Sequence, residues 1–212
     1  MKLSWFGRMQ MNNPARATAQ RRVTAKHLLR LGGDVDGGSA LEIGCGRGVG
    51  IEIILEEFKA ATVVAFDLDP RLVALARRRT ARFRDAVTLS VGTATDIDAA
   101  ESTFDAVFDF GVIHQIEQWP KAVAECARVL KPGGRFYFEA VSSRFYRLSM
   151  NLAMQRGTPD VRKIGFDRDA YLTELERNGI VVGSNYIEPR LPITAALIGD
   201  LIGVGTSATR LG

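Results

Sequence analysis

Ala40-Leu41-Glu42-Ile43-Gly44-Cys45-Gly46-Arg47-Gly48-Val49-Gly50-Ile51 is the stretch whose reading decides the fold. A short apolar run (Ala40, Leu41, Ile43) breaks into glycines at 44, 46 and 48, and a helical pattern resumes at Ile51. That order spells a strand, a turn with exposed backbone and a helix start. Glycines suit such a turn because any side chain would keep a ligand away from the main chain. Further on, a second apolar run, Thr62 to Phe66, ends on Asp67. An acidic residue at the tip of the next strand is placed to grip a ribose diol. The two features together predict a nucleoside site on a doubly wound sheet.

The glycine spacing separates the candidate nucleosides. A dinucleotide fingerprint begun at Gly44 and Gly46 needs a small third residue where Val49 stands, and one begun at Gly46 and Gly48 meets Ile51. A phosphate-binding loop needs Gly-Lys-Ser/Thr, which the chain lacks. What remains is Glu42-x-Gly44-x-Gly46-x-Gly48, which resembles the first motif of the class I S-adenosylmethionine-dependent methyltransferases, of the small-molecule type. Ala65-Phe66-Asp67-Leu68-Asp69-Pro70 resembles that family's second-strand acidic motif. Phe104-Asp105-Ala106-Val107-Phe108-Asp109 resembles its fourth strand, and Arg128-Val129-Leu130-Lys131-Pro132-Gly133-Gly134 the turn before its fifth.

The resemblance implies an α/β, Rossmann-like doubly wound sheet of seven strands, mostly parallel with one antiparallel C-terminal strand, plus an N-terminal helix and a small lid. One methyltransferase domain is expected over 1–212. It divides into an N-terminal helical cap (1–36), a cofactor-binding core (38–141), and a lid with C-terminal strands (142–212). Periodicity along the chain agrees. It predicts a helix over 15–31 stopped by Gly32-Gly33, then strands at 40–43, 62–66, 86–91, 104–109 and 135–141. Helices are predicted at 48–59, 70–83 and 120–130, with Pro132-Gly133-Gly134 as the last one's stop. A helix over 144–156, a helix from Asp167 to Arg177, a strand over 180–187 and a final strand within 193–204 complete the reading.

Composition bounds the rest. A chain of 212 residues with 46% hydrophobic and 25% charged content suits one globular unit with a substantial core. Cys45 and Cys126 lack metal-ligand spacing, so no metal is expected and a reducing compartment is. Residues 1–11 lack a sustained apolar core, and the longest apolar stretch, 193–204, is interrupted by Asp200 and is too short to span a bilayer. A cytoplasmic location is the expectation. The net charge of +4 comes from scattered basic residues without aromatic interleaving, so nucleic acid is not the expected partner. A small-molecule methyl acceptor is, with a homodimer left open.

By the resemblance, Gly44, Cys45, Gly46 and Gly48 expose backbone to S-adenosylmethionine, and Glu42 helps to hold its ammonium. Asp67 takes both ribose hydroxyls, Leu68 packs on the adenine, and Asp109 and Phe110 line the cofactor side. Family members often carry Gly-Asp-Ala after the third strand, but here it is Gly92-Thr93-Ala94, leaving Thr93 and Ala94 a weaker adenine contact without charge assistance. Catalysis is expected mainly from alignment of the acceptor with the methyl carbon. His114 is the candidate base, by the ordinary imidazole range; its other reading is a hydrogen-bonded structural histidine. Two alternatives stand beside this: a methyltransferase acting on RNA or protein, and an S-adenosylmethionine-binding protein without catalysis.

Overall fold

The apolar runs of the sequence pair side by side in one sheet, though not in chain order. In the computed structural model, which describes residues 14–141, 167–189 and 199–208, five of these runs form parallel strands. They are β1 (Ser39–Ile43), β2 (Thr62–Asp67), β3 (Val87–Val91), β4 (Phe104–Phe110) and β5 (Leu130–Ala140). Their order is β3-β2-β1-β4-β5. The chain works outward from β1 to β3, then crosses to β4 on the other side. The switch point therefore lies at the carboxyl ends of β1 and β4, where ligands sit in such sheets.

Three strands complete the sheet: β6 (Ile180–Val181), β7 (Tyr186–Ile187) and β8 (Leu201–Ser207). β8 runs antiparallel to β5, and both β6 and β7 pair along its other edge. The expected strand over 180–187 is thus two short strands in one sheet position, interrupted around Gly183, whose φ is +58°. Seven positions hold eight strands among the described residues.

Helices cover both faces. α1 (Pro14–Ala19), a π-helical turn (Gln20–Thr24) and α2 (Ala25–Gly32) form the N-terminal arm. α3 (Val49–Glu56) follows β1 and α4 (Pro70–Arg79) follows β2. α5 (Trp119–Val129) and α6 (Arg168–Arg177) lie later in the chain. Local chemistry sets their ends. The Asp69 side chain accepts the Arg71 N–H at 2.9 Å with Pro70 in the first turn, and Asp167 caps Asp169 and Ala170 in the same way. Alternate strand residues split the core in two. Leu41, Val107, Phe136 and Phe138 pack with α5 and α6, while Ala40, Phe108 and Tyr137 pack with α2 and α3.

Two expectations are corrected. α4 ends at Arg79 rather than 83, because the Thr80 hydroxyl bonds back to the Ala76 carbonyl at 2.9 Å and a 3-10 turn follows. β5 begins at Leu130, not 135: Leu130 pairs with Phe104 and Arg135 with Ala106, so Lys131 to Gly134 bulge out within the strand. The predicted helix over 144–156 lies outside the described residues. Among those described, no helix is long and apolar enough to cross a membrane.

Candidate cofactor site

The turn between β1 and α3 holds Gly44, Gly46 and Gly48 at φ of +64°, +52° and +83°. L side chains rarely adopt this region, which explains glycine at alternate positions. Their surroundings differ. A Cβ on Gly44 would sit 2.5 Å from Val112 Cγ2, and one on Gly48 3.1 Å from the Ala76 backbone, whereas one on Gly46 would meet nothing within 4 Å. Gly44 and Gly48 are small because the fold is close there. Gly46 faces open space.

Asp67, at the tip of β2, organises this turn. Its Oδ2 accepts the Gly46 N–H and its Oδ1 the Asp69 N–H, both at 2.9 Å. Each carboxylate oxygen keeps further acceptor capacity, and Asp67 lines the neighbouring cavity.

Two cavities meet at Gly44. One, of ≈ 380 Å³, lies between the turn and the N-terminal arm, against Arg16, Gln20, Glu42, Gly46 and Phe110. The other, of ≈ 510 Å³, lies beyond β2 and β3, against Asp67, Leu68, Thr93, Ala94, Val112 and Gln115. Each is within the usual size of a small-ligand pocket. The carboxyl ends of the strands thus present one elongated site: charged at one end, more apolar at the other.

Glu42 marks the charged end. It is buried in β1, and its Oε2 has no hydrogen-bond partner. Burial first, then the Asp67 charge, pushes its carboxyl well above the usual range. Its other oxygen fills the space beside Gly50, where an added Cβ would lie 1.9 Å from Oε1. A buried orphan carboxyl at the wall of a cavity fits a cation placed there.

The remaining expected residues separate into two groups. Cys45, Phe110, Leu68, Thr93 and Ala94 line the cavities. The Cys45 thiol is pushed up by burial and by the charges of Glu42 and Asp67, so it stays protonated. Thr93 is committed locally, its hydroxyl 2.9 Å from that of Thr95. Asp109 lines neither cavity. Fully buried, it caps the turn after β4, accepting the Val112 N–H at 2.6 Å and the Ile113 N–H at 3.4 Å. Burial pushes it up to about 7 against the pull of those bonds.

His114 is set apart in the same way. It also lines neither cavity, and its Nδ1 has no partner. Burial and then the Arg16 charge hold its pKa down at about 3. A base with that pKa is poorly matched to proton transfer near neutrality. The expected hydrogen-bonded structural histidine fits its burial, though not the orphan Nδ1.

The methyltransferase domain family matches residues 41–138. Fatty-acid O-methyltransferase of Mycolicibacterium smegmatis is 32% identical over 112 residues, covering 53% of this chain and 40% of the relative. Demethylmenaquinone methyltransferase of Symbiobacterium thermophilum is 32% identical over 116 residues, covering 52% and 45%. Residues 41–138 are a class I S-adenosylmethionine-dependent methyltransferase domain. The chain spans less than half the length of these two curated relatives.

Solved structures agree on the methyltransferase fold. Geranyl diphosphate methyltransferase in complex with GPP and sinefungin superposes with a TM-score of 0.66 at 20% identity, over 89% of this chain and 76% of that one. The [4+2]-cyclase SpnF has a TM-score of 0.65 at 16% identity, over 87% and 80%. One fold thus carries more than one chemistry.

The methyltransferase domain's cofactor is S-adenosylmethionine, and the residues present fit it. Glu42 would face the ammonium, Asp67 the ribose hydroxyls, and Leu68, Ala94 and Val112 the adenine. Sequence reasoning missed Gly50, although its spacing continues that of Gly44, Gly46 and Gly48. It also missed Arg16, for which the sequence carries no local signal.

Glu42 gives this site a pH dependence. Its raised pKa keeps a proton on the ligand-free protein at pH values where an exposed glutamate is ionised. An ammonium beside it favours the carboxylate, so binding should expel that proton, and affinity should climb as pH rises through the raised pKa. For ligand-free stability the sign is opposite. A raised carboxyl pKa contributes below the unfolded value and is lost as pH rises through the folded one. Glu42→Gln should therefore bind S-adenosylhomocysteine more weakly above the raised pKa, yet unfold at higher temperature there. Calorimetry in buffers of differing ionisation enthalpy measures the proton; equal release by both proteins would exclude Glu42.

Proposed function

We propose that this chain transfers a methyl group from S-adenosylmethionine to a small-molecule acceptor, chiefly by holding the two in line. The observation that carries the reading is the pair of cavities joined at Gly44, with Glu42 in one and Asp67 in the other. When bound, the cofactor supplies an electrophilic methyl on a sulfonium, so the protein need only bind, orient and exclude water. Glu42 holds the cofactor's ammonium and Asp67 its ribose, and Gly44, where the two cavities meet, lies between them. Residues 1–36 would cap this core, and 142–212 would supply a lid together with the C-terminal strands. The fatty-acid and demethylmenaquinone methyltransferases support an acceptor that is a small, largely apolar metabolite.

A second reading, binding without methyl transfer, is favoured by two observations: neither cavity is lined by histidine, and Cys45 stays protonated. Transfer of labelled methyl in a single turnover, to a panel of fatty acids, quinols and small phenols, separates the two. Binding of S-adenosylhomocysteine without transfer to any acceptor would favour the second reading. No binding at all would remove both.

If alignment is the mechanism, His114→Ala should keep turnover within about threefold, against the roughly 100-fold or more that loss of a general base costs. Turnover is to be measured well below the variant's unfolding temperature, since the side chain is buried. A hundredfold loss with cofactor affinity intact would restore the base.

A further inference from the structure

The N-terminal arm walls the glycine-turn cavity with Arg16, Ala17, Thr18 and Gln20, yet its first helix has little apolar attachment. None of residues 15–19 is fully buried. The arm's far end is secured differently, with Leu28 buried and the Tyr137 hydroxyl donating to the Gly33 carbonyl at 2.9 Å. What holds the near end is polar. Glu139, buried near the carboxyl end of β5, takes the Arg16 guanidinium on one oxygen at 3.2 Å and the buried Thr24 hydroxyl on the other at 2.9 Å. Arg16 also donates to the Phe110 carbonyl at 3.2 Å.

The π-helical turn Gln20–Thr24 has a reason in this arrangement. Residues roughly seven apart share a face of a regular α-helix, and a π turn inserts one more. Arg16 and Thr24, eight apart in the sequence, are thereby brought onto the side that meets Glu139. The competing anchor is Arg21, which meets Glu56 at 2.5 Å, Glu57 at 3.4 Å and Glu52 at 3.7 Å. Arg21 is itself about one-third exposed in all three pairs, where ion pairs contribute little. Glu139 lines neither cavity.

Building on the function proposed above, we infer that Glu139 is a positioning residue. It holds the N-terminal arm as a roof over the aminoacyl end of the cofactor site, and so sets cofactor affinity without touching the ligand.

The test uses the full chain and S-adenosylhomocysteine, with two readouts: affinity by calorimetry, and amide hydrogen exchange without ligand. Glu139→Gln should weaken binding roughly tenfold or more and speed exchange across residues 14–24, with β1 and β4 unchanged. Thr24→Val removes one of the two contacts and should give a smaller change in the same direction, which keeps the test alive should Glu139→Gln fail to fold. Arg21→Gln should leave affinity within about twofold. Unchanged exchange in 14–24, or loosening spread evenly through the sheet, overturns the inference. Should the wild type fail to bind, the proposed function falls, while the exchange readout still judges the anchor.

Discussion

Gly46→Val should abolish S-adenosylhomocysteine binding and leave the chain folded. Position 46 sits at φ +52°, where a branched residue is strained by roughly 1–3 kcal/mol. A domain of this size tolerates that as a fall of about 2–4 °C in Tm for each kcal/mol. No clash adds to the strain, because a Cβ there meets nothing within 4 Å. The valine methyls instead enter the ≈ 380 Å³ cavity that the turn borders. Affinity should drop at least a hundredfold, beyond the reach of calorimetry at ordinary protein concentrations. Gly46→Ala isolates the cause: it carries similar backbone strain with less volume, so its affinity should lie between the two. The same change at Gly44 would behave differently, since its Cβ meets Val112 at 2.5 Å and the fold itself must yield. If Gly46→Val unfolds, or binds as the wild type does, the turn is structural and does not face the ligand.

The parts of this molecule that were legible in the sequence are those written in local pattern. β1, β2 and β4 were placed nearly to the residue, because each apolar run is short and ends in glycine or aspartate. The glycine turn and Asp67 were legible for the same reason: their chemistry lies within about one turn and one strand of each other. The surroundings of Asp109 and His114 were not legible, because position at or just after the end of a strand says nothing of burial. Asp109 is consumed by the turn it caps, and His114 is buried near the Arg16 charge. The bulge in β5 escaped because Lys-Pro-Gly-Gly reads as a helix stop, and only pairing with β4 keeps it in a strand. Least legible was Glu139. Phe136 to Ala140 reads as a buried strand in which a carboxylate has no evident reason, and its partner Arg16 lies 123 residues away.

Asp67→Ala should weaken S-adenosylhomocysteine binding by about 1.5–3 kcal/mol, the range for a hydrogen bond to a charged group, which is roughly ten- to a hundredfold or slightly more. Two losses are combined in that figure. One is direct, the acceptor oxygens offered to the ribose hydroxyls. The other passes through the protein: the Gly46 and Asp69 N–H groups, each held at 2.9 Å, lose their acceptor, and the turn loosens. Asp67→Asn separates them. The amide keeps the side chain's shape and one carbonyl acceptor but loses the charge and turns the other oxygen into a donor. A donor facing the Gly46 N–H opens the turn as alanine does, whereas one facing Asp69 leaves the Gly46 bond in place. Exchange at the Gly46 amide reports which orientation forms. If that amide stays protected in Asp67→Asn while affinity still falls tenfold or more, the direct grip on the ribose is the larger part. If affinity follows the amide's protection through both variants, Asp67 acts chiefly by holding the turn. Unchanged affinity in Asp67→Ala would remove the residue from the site, and tight binding of a nicotinamide dinucleotide by the wild type would overturn the cofactor assignment.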